Sequence, residues 1–212
     1  MAIRSADREE KLFYILAAID AIDATEAIPT FLQKVVAAYH LKTAAFLGVG
    51  FGGRRDADPL VAVTYTFDWV SRYRTRQYQR IDPAVQIGMR RLLPMDWSEF
   101  KMRNDDIKTL FGEASEFGLG KNGLTVPVHG RAGERALFSV TSDIARSDWR
   151  QLRQFYMRDF QVLAAHLNSL VTRLEGNDLL KVALSKRERE CLEWISEGKT
   201  AWAVECHRDL TL

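Results

Sequence analysis

The spacing of apolar residues along this chain changes from a helical period to an alternating one and back, twice. Four short segments have the composition and alternation of strands, namely residues 44–51, 60–65, 123–128 and 136–141. Helical spacing is found in residues 6–21, from Thr25 onward, and in 69–78, 83–94, 104–117 and 147–174. Because the strands come in adjacent pairs rather than alternating singly with helices, we predict an α+β fold, an α-β-α sandwich with an antiparallel sheet.

Composition restricts the class of protein. The 212 residues are 47% hydrophobic and 27% charged, and 30 basic residues nearly balance 28 acidic ones. This balance argues against a surface built as a whole for nucleic acid. No apolar run approaches the roughly 20 residues that span a bilayer, the N-terminus is charged too early for a secretory signal, and the two cysteines, Cys191 and Cys206, suggest no disulfide framework. We therefore expect a cytoplasmic protein without a membrane partner.

A domain boundary is predicted after the long helix. Residues 175–178, Glu-Gly-Asn-Asp, break the helical pattern, so we assign 1–174 to one domain and 175–183 to a linker. Ser185 with Glu188 then fits a capping box that opens a new helix, which Gly198 ends. Residues 184–212 are therefore predicted to form a second, small all-α module.

Aromatic and acidic residues between positions 65 and 97 form the first candidate site. Tyr65, Trp69 and Tyr73 are spaced four residues apart and would project along one side, and Asp82 and Trp97 follow. Such a stripe can simply be core, and an Asp before proline can simply be a cap. Phenol and indole donors with one carboxylate would also suit a small amphipathic ligand.

Four arginines in the same stretch suggest a competing role. Arg72, Arg74, Arg76 and Arg80 are interleaved with aromatic residues, as in faces that bind single-stranded nucleic acid. We expect these arginines on the side away from Trp69 and Tyr73, as an ordinary solvated helix face.

Enzyme chemistry finds no support in the sequence. The four histidines fall in separate predicted elements without metal-ligand spacing, and no nucleophile elbow or phosphate-binding loop is present. We expect a protein that is not an enzyme and uses neither metal nor cofactor.

At the residues of the candidate site the sequence resembles the LuxR family of N-acyl-homoserine lactone receptors, and its TraR-like members most closely. The resemblance rests on Tyr65-x3-Trp69-x3-Tyr73, Asp82-Pro83, Trp97, and the stretch 114–118, Ala-Ser-Glu-Phe-Gly, leading to Gly123. It implies a regulator whose ligand is a small-molecule autoinducer.

The resemblance also implies a role for each site residue. Trp69 would donate to the lactone carbonyl, Tyr65 would donate to the acyl carbonyl, and Asp82 would accept the amide N–H. Tyr73 and Trp97 would form walls, Gly123 would leave space, and Ser139 would present a hydroxyl toward the acyl chain.

Residues 184–194, Leu-Ser-Lys-Arg-Glu-Arg-Glu-Cys-Leu-Glu-Trp, resemble the opening of a LuxR-type helix-turn-helix domain. Leu212 comes before the expected recognition helix, so DNA is expected as a partner only if that domain were complete. Two functions stay open: a quorum-sensing transcriptional regulator, or a naturally truncated relative that acts as a dominant-negative dimer partner or ligand sink. In either case the helix over 147–174 could supply the interface of a homodimer, or of a heterodimer with a full-length relative.

Overall fold

The computed structural model describes residues 5–52, 58–101, 104–131, 133–175 and 185–198. The chain divides into two compact units, Met1–Asn177 and Asp178–Leu212, which are described separately. The predicted linker, residues 175–183, falls at this division, and beyond Glu175 it lies outside the described residues.

The first unit combines six helices and five strands within the described residues. The helices are α1 (Ser5–Asp20), α2 (Ile28–Tyr39), α3 (Phe67–Thr75), α4 (Pro83–Gly88), α5 (Asp105–Glu116) and α6 (Arg146–Leu174). The strands are β1 (Thr43–Val49), β2 (Leu60–Val63), β3 (Met95–Asp96), β4 (Asn122–His129) and β5 (Arg135–Ser142). Short 3₁₀ helices cover Thr25–Ala27, Tyr78–Arg80 and Trp97–Glu99. None of the helices in the described part is both long and apolar enough to cross a bilayer.

The strands form one antiparallel sheet in the order β2-β1-β5-β4-β3. The α+β class with an antiparallel sheet is confirmed, and the two predicted strand pairs are β1–β2 and β4–β5. The sheet also contains β3, whose two residues are too few for a visible alternation. Ser139 on β5 is directly opposite Ala45 on β1 and Thr125 on β4, so these three residues share a face of the sheet.

Strand alternation sends one set of side chains into the main core. Phe46 on β1, Leu124 on β4 and Phe138 on β5 are fully buried on the face that α1, α2 and α6 cover. From α6, Phe160 and Leu163 complete this layer, with the Phe160 ring 5.6 Å from that of Phe138. Helical and alternating spacing thus meet at one surface, which explains why both patterns were readable in the sequence.

The opposite face of the sheet is covered less completely by α3, α4 and α5. Two smaller apolar clusters form there, one around Trp69 and Leu110 and the other around Met95 and Phe100. A cavity lies between these clusters and the sheet. One face of the sheet is therefore fully packed by helices, and the other face borders the cavity.

Three predicted helix boundaries were wrong for local reasons. The helix predicted over 69–78 begins earlier and ends at Thr75, because Gln77 adopts a left-handed conformation with φ 53°. Helix α4 stops at Gly88 rather than near Pro94, and the chain returns to the sheet at Met95. Helix α6 begins at Arg146, and Ser147, the predicted cap, instead donates to the Asp148 carboxylate at 3.3 Å.

The second unit is described only over residues 185–198. Helix α7 (Lys186–Ser196) begins with the predicted capping box, in which Ser185 Oγ accepts the Glu188 N–H at 3.3 Å and the Glu188 carboxylate accepts the Ser185 N–H at 2.8 Å. The remainder of the predicted helix-turn-helix module, Leu184 and residues 199–212, lies outside the described residues.

Candidate ligand-binding site

A cavity of about 590 Å³ lies between the sheet and helices α3 to α5. Six of the predicted site residues line it: Tyr65, Trp69, Tyr73, Asp82, Trp97 and Ser139. They come from the end of β2, from α3, from the start of α4, from the segment after β3 and from β5. Gly123, the seventh, does not line the cavity.

The Asp82 carboxylate is the hydrogen-bond acceptor of the site, and two hydrogen bonds fix its orientation. It precedes Pro83 and caps α4, so its Oδ1 accepts the Ala84 N–H at 2.8 Å. Its Oδ2 accepts the Tyr73 hydroxyl at 2.8 Å. Burial raises the pKa of Asp82, and these two hydrogen bonds oppose that rise without cancelling it. The cap that the sequence suggested and the ligand acceptor that it also suggested are therefore the same carboxylate.

Two donors face the cavity beside this carboxylate. Among the described residues, neither the Tyr65 hydroxyl nor the Trp69 indole N–H has a hydrogen-bond partner. Burial, and secondarily the nearby charge of Asp82, raises the pKa of the Tyr65 hydroxyl, so it remains a protonated donor at neutral pH. In the described part of the chain, these two donors have no partner, and together with the carboxylate of Asp82 they can bind polar atoms of a ligand.

The aromatic stripe is both core and cavity wall. Trp69 is only 2% exposed and packs edge-on against Tyr73, with ring centroids 5.8 Å apart. Behind Trp69 lie Phe117 at 5.6 Å and Tyr78 at 6.1 Å. The sequence analysis gave neither ring a role in the site, although Tyr78 ends the predicted helix 69–78 and Phe117 belongs to the stretch 114–118.

Trp97 explains the requirement for glycine at position 123. The indole ring lies over the β4 backbone at Gly123, where an added Cβ would overlap the ring atoms. The Trp97 Nε1 donates to Thr125 Oγ1 at 2.9 Å, and the Ser139 hydroxyl lies 2.9 Å from the same oxygen. Gly123 therefore acts on the cavity through Trp97, by allowing that ring to form the wall.

The apolar lining was missed by sequence reasoning. It consists chiefly of Ala45, Leu47, Val61, Val63, Val70, Val85, Leu110, Phe111 and Leu137. The strand residues alternate with core residues such as Phe46 and Phe138, so this alternation was the available signal. It could not show that one face borders a cavity, because both faces of each strand are apolar.

The arginine run is mostly exposed to solvent, as expected: Arg74, Arg76 and Arg80 are exposed and Arg72 is half-buried. Arg72 and Arg76 approach the Glu113 carboxylate at 3.3 and 3.9 Å and so connect α3 with α5, and the Tyr78 hydroxyl donates to the same carboxylate at 2.8 Å. Arg74 lines the cavity, contrary to its predicted orientation.

We expect Tyr73→Phe to weaken ligand binding while leaving the wall in place. The change removes the hydroxyl that orients Asp82 Oδ2 and raises the pKa of that carboxyl further. The loss of about one hydrogen bond corresponds to roughly a 3- to 10-fold weaker affinity, measurable by calorimetry. Tyr14→Phe is the control, because the Tyr14 side chain is exposed on α1; an equal effect of both changes would contradict this role for Tyr73.

The polar groups of the cavity suit the binding of a small molecule. In the described part of the chain, no group of histidine, cysteine and carboxylate side chains could hold a metal ion. The donors and the acceptor can instead orient a ligand that carries carbonyl oxygens and an N–H, with its apolar portion against the aliphatic wall.

Comparison with known proteins agrees with this architecture. The profile of the autoinducer binding domain family matches residues 25–170, which is more than half of the chain. The transcriptional activator protein RaiR of Rhizobium etli is 44% identical over 153 residues, covering 70% of this chain and 62% of RaiR. The transcriptional activator protein VanR of Vibrio anguillarum is 32% identical over 151 residues, covering 71% of this chain and 62% of VanR.

A solved structure supports the fold. The N-acylhomoserine lactone dependent LuxR family transcription factor CepR2 of Burkholderia cenocepacia superposes with a TM-score of 0.64 at 18% identity, covering 80% of this chain and 98% of that one. The chain spans less than two thirds of the length of RaiR and of VanR. From the family match and the two relatives, the chain belongs to the autoinducer-binding family of LuxR-type transcriptional regulators.

Proposed function

We propose that this protein is a quorum-sensing regulator that binds an N-acyl-homoserine lactone in the cavity. The observation that carries the proposal is the set of polar groups facing that space: the donors of Tyr65 and Trp69, which have no hydrogen-bond partner among the described residues, beside the fixed carboxylate of Asp82. An acyl-homoserine lactone offers the complementary set, two carbonyl acceptors and one amide N–H. The lactone dependence stated for CepR2 agrees with this assignment.

The proposed contacts follow from matching donors to acceptors. The Trp69 indole donates to the lactone carbonyl, Tyr65 donates to the acyl carbonyl, and Asp82 accepts the amide N–H. The acyl tail lies against the aliphatic wall, where each buried methylene contributes about 0.8 kcal/mol. Trp97 and Tyr73 close the remaining sides of the cavity.

The proposal extends to the whole protein as transcriptional regulation. RaiR and VanR are named as transcriptional activators, which favours a regulator over a truncated ligand sink. We propose that the protein acts in the cytoplasm, where a diffusing signal and DNA are both present. We further propose that it works as a dimer through α6, on which Phe155 and Val162 are exposed apolar side chains.

A thermal-shift titration tests the ligand assignment. We expect an acyl-homoserine lactone at about 100-fold above its Kd to raise the melting temperature by several degrees, because a ligand that binds only the folded state stabilises it by mass action. Ring-opened acyl-homoserine is the matched control, since its carboxylate replaces the lactone carbonyl and brings a second negative charge near Asp82; we expect it to give no shift. The proposal fails if no lactone, from butanoyl to tetradecanoyl, shifts the melting temperature.

The same samples test whether the protein is only a receptor. Mass spectrometry after incubation should recover the lactone unchanged, because the described residues that line the cavity supply donors and an acceptor but no activated nucleophile. Steady conversion to ring-opened product, above the rate in buffer, would contradict a purely receptive role.

A further inference from the structure

Three polar side chains on the sheet side of the cavity form a hydrogen-bonded chain. The Trp97 Nε1 is 2.9 Å from Thr125 Oγ1, which is 2.9 Å from Ser139 Oγ. Thr125 is fully buried and does not line the cavity, whereas Trp97 and Ser139 do. Thr125 and Ser139 are directly opposite on β4 and β5, so the sheet fixes their separation.

The protons of this chain can be assigned from its chemistry. An indole N–H can only donate, so Thr125 Oγ1 is the acceptor toward Trp97. The single hydroxyl proton of Thr125 then needs an acceptor of its own, and Ser139 Oγ is the one within reach among the described residues. The opposite orientation would leave a buried hydroxyl proton without a partner, at a free-energy cost. The proton of Ser139 is therefore the one that remains available.

We infer that Thr125 is a positioning residue that fixes the Ser139 hydroxyl as a hydrogen-bond donor into the cavity, toward an oxygen of the ligand. The inference rests on the proposed function, because the oxygen belongs to the acyl-homoserine lactone. Trp97 contributes its N–H to one of the two lone pairs of Thr125 Oγ1, and the hydroxyl proton of Thr125 is then directed to Ser139 Oγ. An ordinary serine hydroxyl can donate or accept a hydrogen bond. The Ser139 hydroxyl is oriented to donate, so it favours a ligand that places an acceptor oxygen beside it.

Two oxygens of such a ligand could receive this hydrogen bond. One is the acyl amide carbonyl, which every acyl-homoserine lactone carries; the other is an oxygen on the third carbon of the acyl chain, which only substituted members carry. The hydrogen-bond chemistry is the same for both. A matched pair of ligands, unsubstituted and 3-oxo at one chain length, separates them.

Calorimetry on four variants tests the positioning role, with the tightest-binding straight-chain lactone and its 3-oxo counterpart as probes. We expect Ser139→Ala and Thr125→Val each to weaken binding about 3- to 10-fold. The double variant should bind no more weakly than Ser139→Ala alone, because Thr125 acts through Ser139. Thr125→Ser, which keeps the hydroxyl, should restore most of the affinity. Equal losses for both probes assign the amide carbonyl; losses confined to the 3-oxo probe assign the chain oxygen.

Thr43→Val is the matched control for a purely structural effect. Thr43 and Thr141 also form a buried cross-strand hydroxyl pair, 2.6 Å apart, in the same sheet but outside the cavity lining. Loss of this hydrogen bond in Thr43→Val should lower the melting temperature and leave the affinity for the lactone unchanged. Wild-type affinity in Thr125→Val, or full additivity with Ser139→Ala, overturns the positioning role while the proposed function stands. A wild-type protein that binds no lactone overturns both.

Discussion

Asp82→Asn should abolish most ligand binding without destabilising the protein in the absence of ligand. The amide Oδ1 can still accept the Ala84 N–H and cap α4, since asparagine is as good a cap as aspartate. The new NH₂ group replaces Oδ2, and the Tyr73 hydroxyl can rotate to accept from it. The NH₂ group also faces the ligand amide N–H, so an attraction between charge and dipole becomes a contact between two donors. We expect a loss of roughly 2 to 4 kcal/mol, or about 30- to 1000-fold in Kd.

The stability of the ligand-free protein and its affinity for the ligand should depend on pH in opposite directions. The pKa of Asp82 is raised in the folded protein, chiefly by burial, so this carboxyl binds its proton more tightly folded than unfolded. Its contribution to stability is complete below the unfolded pKa, about 3.9, and is lost as the pH rises through the folded value. Ligand binding needs the carboxylate and should instead weaken as the pH falls through that value.

Urea unfolding and calorimetry at several pH values measure both effects. Without ligand, the stability of Asp82→Asn relative to wild type should increase with pH. Asp159→Asn is the matched control, because Asp159 is also a buried carboxylate that accepts a tyrosine hydroxyl, from Tyr39 at 3.2 Å, but on the other face of the sheet. Its affinity should remain within about twofold of wild type, as for a site without shared partners. Unchanged affinity in Asp82→Asn would refute the amide contact.

Gly123→Ala should damage both the fold and the cavity. The added methyl would occupy space that the Trp97 ring fills, and a shift of this ring alters the cavity because Trp97 lines it. We expect a loss of roughly 1 to 3 kcal/mol in the free energy of unfolding, as for overpacking elsewhere. Ligand affinity should fall as well, because a displaced Trp97 ring changes the shape of the cavity and loses its hydrogen bond to Thr125 Oγ1.

Gly112→Ala provides the opposite control. Gly112 is in α5, and an added Cβ would meet nothing within 4 Å, so alanine should stabilise the helix by up to about 1 kcal/mol. If Gly123→Ala destabilises the protein through a clash with the Trp97 ring, the loss in free energy of unfolding should be smaller in a Trp97→Leu background. A penalty of the same size in both backgrounds would point away from Trp97.

The fold class was predictable from the sequence because each local pattern agreed with the tertiary structure around it. The two strand pairs, the amphipathic face of α6 and the capping box at Ser185 are short-range features, and the structure contains all three. Helix ends were less predictable. The return of the chain at Met95 depends on pairing with Thr125 in β4 rather than on local preference, and the left-handed conformation of Gln77 had no signal in the helical spacing.

The same division applies to the candidate site. Spacing alone suggested an aromatic stripe with one carboxylate, and the family resemblance supplied a role for each residue. Neither could show that Asp82 is at once the cap of α4 and the acceptor for Tyr73, nor that Arg74 lines the cavity. Those facts depend on how α3 and α4 pack over the sheet.

By itself, then, the sequence determined which residue types were available for recognition: the donors of Tyr65 and Trp69 and the acceptor of Asp82. Only the tertiary structure decided which of their hydrogen bonds are already used within the protein and which remain for a ligand. The physical reason is that a polar group's partners are set by neighbours in space. Thr125, opposite Ser139 across two strands and beneath Trp97, acquires its role from three segments that are separate in the sequence.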